Sequence, residues 1–195
     1  MSSALSVVEY FDEIGVLLVG KLLVVPSAVG GIYEIKEPGQ TTFAVTPQNL
    51  AHHRCVSLEK NAANFSMFKL GHNYAHRRAD RLFVAWDAQK NRIVYLACEL
   101  KSQVSSGAWT QLQVTLAFAR HLDALIRVNK TMPHTAVFAA ATIRSMPVAL
   151  KSFNPMTFVP VWNTPLKGCP LSVHHCHFDR ALSPLRLRDT VFSLP

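Results

Sequence analysis

The alternation of apolar and polar positions is clearest in the middle of the chain, where it predicts a β-hairpin. RADRLFVAWD (78–87) and NRIVYLACELK (91–101) are rich in the β-branched, aromatic and aliphatic residues that strands favour. The polar stretch DAQKN (87–91) between them is typical of a turn. We therefore expect two antiparallel strands joined at this stretch.

The segment after the hairpin, SSGAWTQLQVTLAFARHLDALIRVNK (105–130), predicts one long helix. Its apolar residues recur at steps of three and four positions, which places them on one helical face. Ser105 or Ser106 is expected to cap the helix, and Pro133 is expected to stop it. The predicted inner face consists of Trp109, Leu112, Leu116, Ala119, Leu122 and Ile126.

The regions on either side of this unit are predicted to contain further strands. The segment TPQNLAHHRCVSLEKNAANF (46–65) is mixed, because Thr46 before Pro47 is a helix-start signal, whereas VSLEK (56–60) suits a strand equally well. EPGQ (37–40) signals a turn. The other predicted strands are 16–25, 31–36, 134–143 and 156–163.

These elements together predict an α/β fold with a mixed central β-sheet flanked by helices. A chain of 195 residues, 49% of them apolar, suits a single domain with a real core. The domain is expected to span 1–195, with the elements that carry its chemistry at about 56–125. The Pro-, His- and Arg-rich stretch 164–195 is expected to be an irregular tail.

The hairpin brings two carboxylates together if its strands pair in the expected register. Side chains alternate between faces along a strand, so Glu99 and Lys101 share a face. With a two-residue loop at Gln89 and Lys90, Asp80 falls opposite Glu99, and the Cβ atoms are about 4.5–5.5 Å apart. The loop length is an assumption, and a slip of one residue would turn the two carboxylates to opposite faces.

Two carboxylates this close repel each other, and a divalent cation between them would relieve the repulsion. Mg²⁺ takes carboxylate, carbonyl and water oxygens. Asp80, Glu99 and the backbone carbonyl of Leu100 are therefore predicted metal ligands. Lys101 would orient or deprotonate the attacking water, or stabilise charge on phosphorus. The plain alternative is a surface hairpin in which Glu99 and Lys101 form a solvated ion pair.

The charged residues and the helix after them resemble the PD-(D/E)xK nuclease-like superfamily, whose fold is restriction-endonuclease-like. In that pattern an Asp near the start of one strand precedes (D/E)-x-K on the next strand and then a helix. Here Asp80, Glu99 and Lys101 match it. Gln111 in WTQLQ resembles the glutamine that many members carry on the helix, which implies a hydrogen bond to a ligand or to the lysine. The chain departs from the pattern at Ala79, where the superfamily has Pro.

Members of the superfamily often bring a further glutamate to the metal from their first helix. Glu59 and Glu34 are the candidates in this chain, and Glu59 is preferred because it lies in the segment leading to the hairpin.

The resemblance implies a Mg²⁺-dependent nuclease, with Mn²⁺ as a substitute, that hydrolyses phosphodiester bonds and has DNA as its expected substrate. The net charge of +8 agrees, because a basic protein favours polyanionic partners. Arg77, Arg78, Arg81 and Lys60 are predicted to contact phosphates, although a solvated strand end would explain the arginines as well. One such site cuts one strand, so a homodimer or a larger protein complex is expected.

Two other functions stay open at this point. The chain could be a catalytically inactive relative that binds nucleic acid or protein through the same fold. It could also be a basic structural subunit in which Glu-x-Lys is incidental. Serine hydrolase and phosphate-loop chemistry have no support, because G-x-S-x-G and G-x-x-x-x-G-K-[ST] are both missing from the sequence.

Cysteine, histidine and apolar patterns add little to this picture. CPLSVHHCHF (169–178) contains zinc-binding residue types without the usual spacing, so a His-rich surface or strand is favoured. The four cysteines lie far apart, which suits a cytoplasmic location. The apolar stretch 14–26 is short and is interrupted by Lys21 and Pro26, so no membrane segment is expected.

Overall fold

The structure is a computed structural model, and its described residues form three α-helices and ten strands. The described residues are 4–18, 20–28, 31–35, 43–58, 78–101, 106–144, 162–163, 174–178 and 185–195. The helices are α1 (Val7–Leu17), α2 (Ser106–Asn129) and α3 (Leu187–Ser193). The strands are β1 (Leu23–Val24), β2 (Tyr33–Ile35), β3 (Phe43–Thr46), β4 (His53–Ser57), β5 (Arg81–Asp87), β6 (Arg92–Lys101), β7 (Thr135–Arg144), β8 (Trp162–Asn163), β9 (His174–Phe178) and β10 (Leu185–Arg186).

The predicted hairpin forms between β5 and β6, and its register is the expected one. The strands pair antiparallel from Arg81 opposite Cys98 to Asp87 opposite Arg92. The turn covers 88–91, so it is longer than the two-residue loop assumed from the sequence. The register is unchanged because the turn lengthens by one residue on each side.

The turn end of the hairpin is closed by a buried ion pair. Arg92 Nε lies 2.9 Å from Asp87 Oδ2, and the two side chains are 9% and 0% exposed. Asp87 Oδ1 also accepts the backbone N–H groups of Gln89 and Lys90. The Arg92 guanidinium donates further hydrogen bonds to the carbonyl oxygen of Leu194 and the backbone oxygen of Pro195. Asp87 and Arg92 therefore tie the turn to the end of the chain.

The hairpin lies in the middle of a mixed sheet, which the described residues build in the order β1-β4-β5-β6-β7-β9-β8. Pairing is antiparallel from β1 through β6, parallel from β6 through β7 to β9, and antiparallel between β9 and β8. A parallel pair needs a long connection, and α2 supplies it between β6 and β7. The predictions of a helix over 105–130 and a strand over 134–143 are thereby confirmed.

Helices cover one face of this sheet, and a small second sheet covers the other. α1 and α2 pack on the face that carries Leu82, Ile93 and Tyr95. The second sheet, with the order β10-β3-β2, packs together with α3 on the opposite face, against Phe83 and Leu96. The mixed α/β architecture with flanking helices is therefore as predicted from the sequence.

A buried polar network joins α1, α2 and the centre of β6 on the helical face. The Tyr10 hydroxyl contacts the Tyr95 hydroxyl and donates to the Asp123 carboxylate. Asp123 in turn pairs with Arg127 at 2.7 Å, one helical turn away. Burial raises the pKa of both tyrosines above the usual value, so their hydroxyls stay protonated donors.

The first 25 residues differ from the prediction of a strand over 16–25. Residues 7–17 form α1, and Leu23–Val24 form the two-residue strand β1. The Ser6 hydroxyl accepts the N–H of Glu9, and the Glu9 side chain accepts the N–H of Ser6, a reciprocal cap that starts the helix. The apolar stretch 16–25 is thus divided between the end of α1, where Val16 and Leu17 are exposed, and the short edge strand β1. The prediction of a strand over 31–36 is confirmed by β2.

The helix-start prediction at Thr46 is wrong. Thr46 ends β3, and a short turn follows in which the N–H of Leu50 donates to the carbonyl of Pro47. The alternative strand at 56–60 is nearer the outcome, because β4 includes residues 56 and 57.

The C-terminal region contains more order than expected from its composition. Within 164–195, which was predicted to be irregular, the described residues form β9, β10 and α3. Of the strand predicted at 156–163, residues 162–163 form β8 and the rest lies outside the described residues, as does the turn at 37–40. None of the helices in the described part of the chain is long and apolar enough to cross a membrane.

Candidate active site

Two carboxylates meet at the open end of the hairpin, where the chain enters β5. Asp80 precedes Arg81, the first paired residue of β5, so the register continues to Asp80 opposite Glu99. The N–H of Asp80 donates to Glu99 Oε2 at 3.0 Å, and the N–H of Leu100 donates to Asp80 Oδ2 at 2.6 Å. Each carboxylate therefore holds the backbone of the opposite strand.

The carboxylate pair lies on the helical face of the sheet. Glu99 follows Tyr95 and Ala97 in the alternation along β6, and Ala97 packs against Leu112 and Leu116 of α2. Glu99 is 0% exposed, whereas Asp80 is half-buried. Asp80 is therefore the more accessible of the two carboxylates.

The first turns of α2 hold the segment that leads into Asp80. Gln111 Nε2 donates to the carbonyl oxygen of Arg78 at 3.1 Å. Thr115 Oγ1 accepts the N–H of Ala79 at 2.8 Å, and both Thr115 and Ala79 are 0% exposed. The described contact of Gln111 is thus with backbone, whereas the resemblance implied a ligand or the lysine as its partner.

The two described arginines near Asp80 are buried and bonded to protein oxygens. Arg81 is 8% exposed and donates to the carbonyl oxygens of Asp80 and Glu34, at 2.6 and 3.2 Å, and to Ser57 Oγ. Arg78 is 9% exposed and donates to the carbonyl of Leu58, and burial lowers the pKa of its guanidinium. Their burial does not agree with a solvated strand end, and Arg81 joins β5 to the second sheet through Glu34. Contact of Arg78 or Arg81 with phosphate stays a prediction.

The structure does not bring Glu34 to the carboxylate pair. The Glu34 side chain is exposed on β2, between buried Tyr33 and Ile35. Its carbonyl accepts from Arg81, whose side chain leaves β5 on the face opposite to Asp80.

Several predicted site residues lie outside what the structure describes. Glu59, Lys60 and Arg77 belong to the stretch between residues 58 and 78, which is not among the described residues. The backbone of Lys101 is described at the end of β6, opposite Arg144 of β7, whereas its side chain is not. On the backbone alone, Lys101 follows Glu99 on the same face of β6.

The donor set fits a hard divalent cation. Within the described residues, no cluster of three His, Cys, Asp or Glu side chains could hold an ion. Mg²⁺ does not need such a cluster, because it keeps several waters and takes one or two carboxylates in addition to substrate phosphates. Asp80 and Glu99 supply two carboxylates, and one oxygen of each accepts a strand N–H. Leu100 contacts the pair through its N–H, and its carbonyl remains a predicted ligand.

Thr115 is the residue of this site that sequence reasoning missed. Its only sequence signal is its position four residues after Gln111, which puts both side chains on one helical face. Buried threonines on amphipathic helices are common, so this spacing alone does not identify Thr115 as a site residue. The identity of its partner, the N–H of Ala79, depends on how α2 packs across the entry to β5.

Comparison with protein-family models, with curated proteins and with solved structures finds no match to this chain.

Proposed function

We propose that this chain is a metal-dependent nuclease domain of restriction-endonuclease-like fold, which hydrolyses phosphodiester bonds in DNA. The observation that carries the proposal is the meeting of Asp80 and Glu99 on one face at one end of the hairpin, with Lys101 next on that face. The order of β5, β6 and α2 is also the order in which the PD-(D/E)xK pattern places its Asp, its Glu-x-Lys and its helix.

Each residue has a distinct proposed role. Asp80 and Glu99 hold Mg²⁺ or Mn²⁺, together with the carbonyl of Leu100. A bound ion of this kind polarises a phosphate and lowers the pKa of water. Lys101 orients the attacking water and stabilises negative charge on the phosphate. Gln111 holds the backbone ahead of Asp80.

Phosphate binding is assigned to basic residues other than the two buried arginines. Because Arg78 and Arg81 are buried, the proposal relies on Lys60 and Arg77, which flank the segment leading to Asp80, and on the overall charge of +8. Cutting both strands of a duplex needs two such sites, so the active form is proposed to be a homodimer or part of a larger complex.

A second function is favoured by one specific observation. Glu99 is fully buried, and both carboxylates already accept strand N–H groups, as in a structural clasp that ends the hairpin. A catalytically inactive relative that binds nucleic acid or protein would keep such a clasp and bind no ion.

Incubation of the full chain with supercoiled plasmid and Mg²⁺ or Mn²⁺ separates the two functions. We expect metal-dependent nicking that is lost with a chelator and falls at least 100-fold in Asp80→Asn and Lys101→Ala, the order of loss expected for charge-stabilising groups. Lys130→Ala is the matched control, because Lys130 pairs with Glu13 at the far end of α2. Plasmid binding without nicking would establish the inactive alternative.

A further inference from the structure

Thr115 and Gln111 contact the two polar atoms of a single peptide group. The carbonyl of Arg78 and the N–H of Ala79 belong to the same peptide bond, the second one before Asp80. Gln111 donates to its oxygen at 3.1 Å, and Thr115 accepts from its nitrogen at 2.8 Å. Because a peptide group is planar, bonds to both of these atoms fix its rotation about the chain. We call this pair of side chains the peptide clamp.

Both polar backbone groups of Asp80 are also bonded by side chains. The N–H of Asp80 donates to Glu99, and its carbonyl accepts from Arg81. From residue 78 to residue 80, side chains of α2, β6 and β5 therefore set the path of the backbone before the strand ladder begins at Arg81.

The clamp lies in a position to decide where the Asp80 carboxylate points. Asp80 is half-buried, and its backbone orientation is set by the peptide groups on either side of it. Thr115 is fully buried and reaches this segment through its hydroxyl, so its contact is not that of an apolar core residue. Supporting residues of this kind tune metal sites without touching the ion.

We propose that Thr115, acting with Gln111 as the peptide clamp, is a positioning residue that aims Asp80 at the metal. The proposal rests on the metal-dependent nuclease function proposed above, and it adds a residue that neither the motif nor the resemblance includes. In this proposal α2 supports the metal site through the backbone before Asp80, and no side chain of α2 coordinates the ion.

Mn²⁺ titration calorimetry on the full chain tests the clamp separately from the nuclease function. Thr115→Val keeps the shape of the side chain and removes the acceptor, and we expect the Mn²⁺ affinity to fall about 10- to 100-fold. Thr115→Ser restores the hydroxyl and should return the affinity to within about threefold of wild type. Thr190→Val is the matched control, because Thr190 is equally buried but belongs to α3, on the other face of the sheet.

Gln111→Leu is a second, independent variant in case Thr115→Val does not fold. Gln111 is half-buried and holds the same peptide from its carbonyl side, so its loss should weaken Mn²⁺ binding by a similar factor. In the double variant the two losses should be less than additive, because both side chains act on one group.

The wild type and the variants answer different questions. A wild type that binds no Mn²⁺ and nicks no plasmid refutes the nuclease function, and the clamp proposal with it. A wild type that binds Mn²⁺, beside folded Thr115→Val or Gln111→Leu with unchanged affinity, refutes the clamp alone. An equal loss in Thr190→Val would also refute it, because the effect would then be general destabilisation.

Discussion

The two ends of the β5–β6 hairpin use carboxylates in opposite ways. At the turn end, the register places Asp87 opposite Arg92, and the two form a buried ion pair at 2.9 Å. At the open end, the same register places Asp80 opposite Glu99, two groups of like charge, and their described bonds are to strand N–H groups. The same pair of strands therefore carries a neutral pair at one end and two acids at the other.

The difference separates a structural end from a candidate chemical end. A buried Asp–Arg pair neutralises its own charges and attracts no ligand. Removal of one partner nevertheless causes a large loss of stability, because the other charge stays buried. Two carboxylates at neighbouring positions repel each other, and a cation between them would relieve that repulsion. Substitutions at the turn end should therefore change stability, and substitutions at the open end should change metal binding.

Arg92→Leu should have the largest effect on stability. It leaves Asp87 buried without its ion-pair partner and removes the bonds to residues 194 and 195, so we expect a loss of about 3–5 kcal/mol in the free energy of unfolding. Urea denaturation followed by circular dichroism measures it. Asp12→Asn is the control, because the Asp12–Arg54 pair is exposed and should contribute no more than about 1 kcal/mol. A loss below about 1 kcal/mol for Arg92→Leu would contradict the structural role of the turn end.

Glu99→Gln should change metal binding and leave the metal-free fold nearly intact. The amide keeps an oxygen to accept the N–H of Asp80, so the free energy of unfolding without metal should change by less than about 1 kcal/mol. The loss of charge should lower Mn²⁺ affinity about 10- to 100-fold, or about 1.4–2.7 kcal/mol. Thermal melts with and without Mn²⁺ measure both quantities. If Mn²⁺ stabilises the variant as much as the wild type, the two ends do not differ in the proposed way.

Tyr10→Phe tests the middle of β6, between the two ends. It removes the hydroxyl that bonds to Tyr95 and Asp123, and we expect a loss of about 1–2 kcal/mol in stability, because Asp123 keeps Arg127 as a partner. Mn²⁺ affinity should stay at the wild-type value. A drop in affinity would show that the network and the open end are coupled.

Mild acid should produce the smallest effect, through His53 on β4. Burial lowers the pKa of His53 below its usual value of 6.5, and its Nδ1 lies 2.9 Å from the Tyr33 hydroxyl. The unfolded chain then binds the proton first, so stability is full above pH 6.5 and decreases as the pH falls through 6.5 towards the lowered pKa. His53→Gln should flatten the stability profile between pH 7 and pH 5. An unchanged slope in His53→Gln would assign the acid sensitivity to other groups.

The central unit could be predicted from sequence because its signals are local and strong. The run from Ile93 to Cys98 is apolar on both faces, as in a strand in the middle of a sheet, and the three- and four-residue spacing from Trp109 to Ile126 marks α2. The register depends on the centre of the turn, and this centre is the same for the expected two-residue turn and the observed four-residue turn. The sequence therefore predicted the pairing of Asp80 with Glu99 although the turn is longer than expected.

The remaining features depend on partners that no local pattern reveals. Arg81 precedes an apolar run and is typical of a solvated strand end, yet it is buried and bonded to the carbonyls of Asp80 and of Glu34 on β2. Thr46 and Pro47 make a good helix start, but Thr46 pairs with Arg186 of β10 and so ends the strand β3. α1 was missed because its apolar run extends beyond the helix, although Ser6 and Glu9 carried a capping signal.

The contacts at the two hairpin ends span very different lengths of chain. Asp80 and Glu99 are 19 residues apart, whereas the Arg92–Leu194 bond joins residues 102 apart. Closing the longer loop costs about 1.5 kcal/mol more chain entropy, so the two acids can meet early in folding, before residues 194 and 195 dock. In refolding kinetics, loss of the Arg92 bonds to residues 194 and 195 should therefore mainly speed unfolding, whereas loss of the Asp87–Arg92 pair, whose partners are 5 residues apart, should also slow folding. In this order of folding, Asp80 and Glu99 come together before residues 194 and 195 pack against the turn of the hairpin.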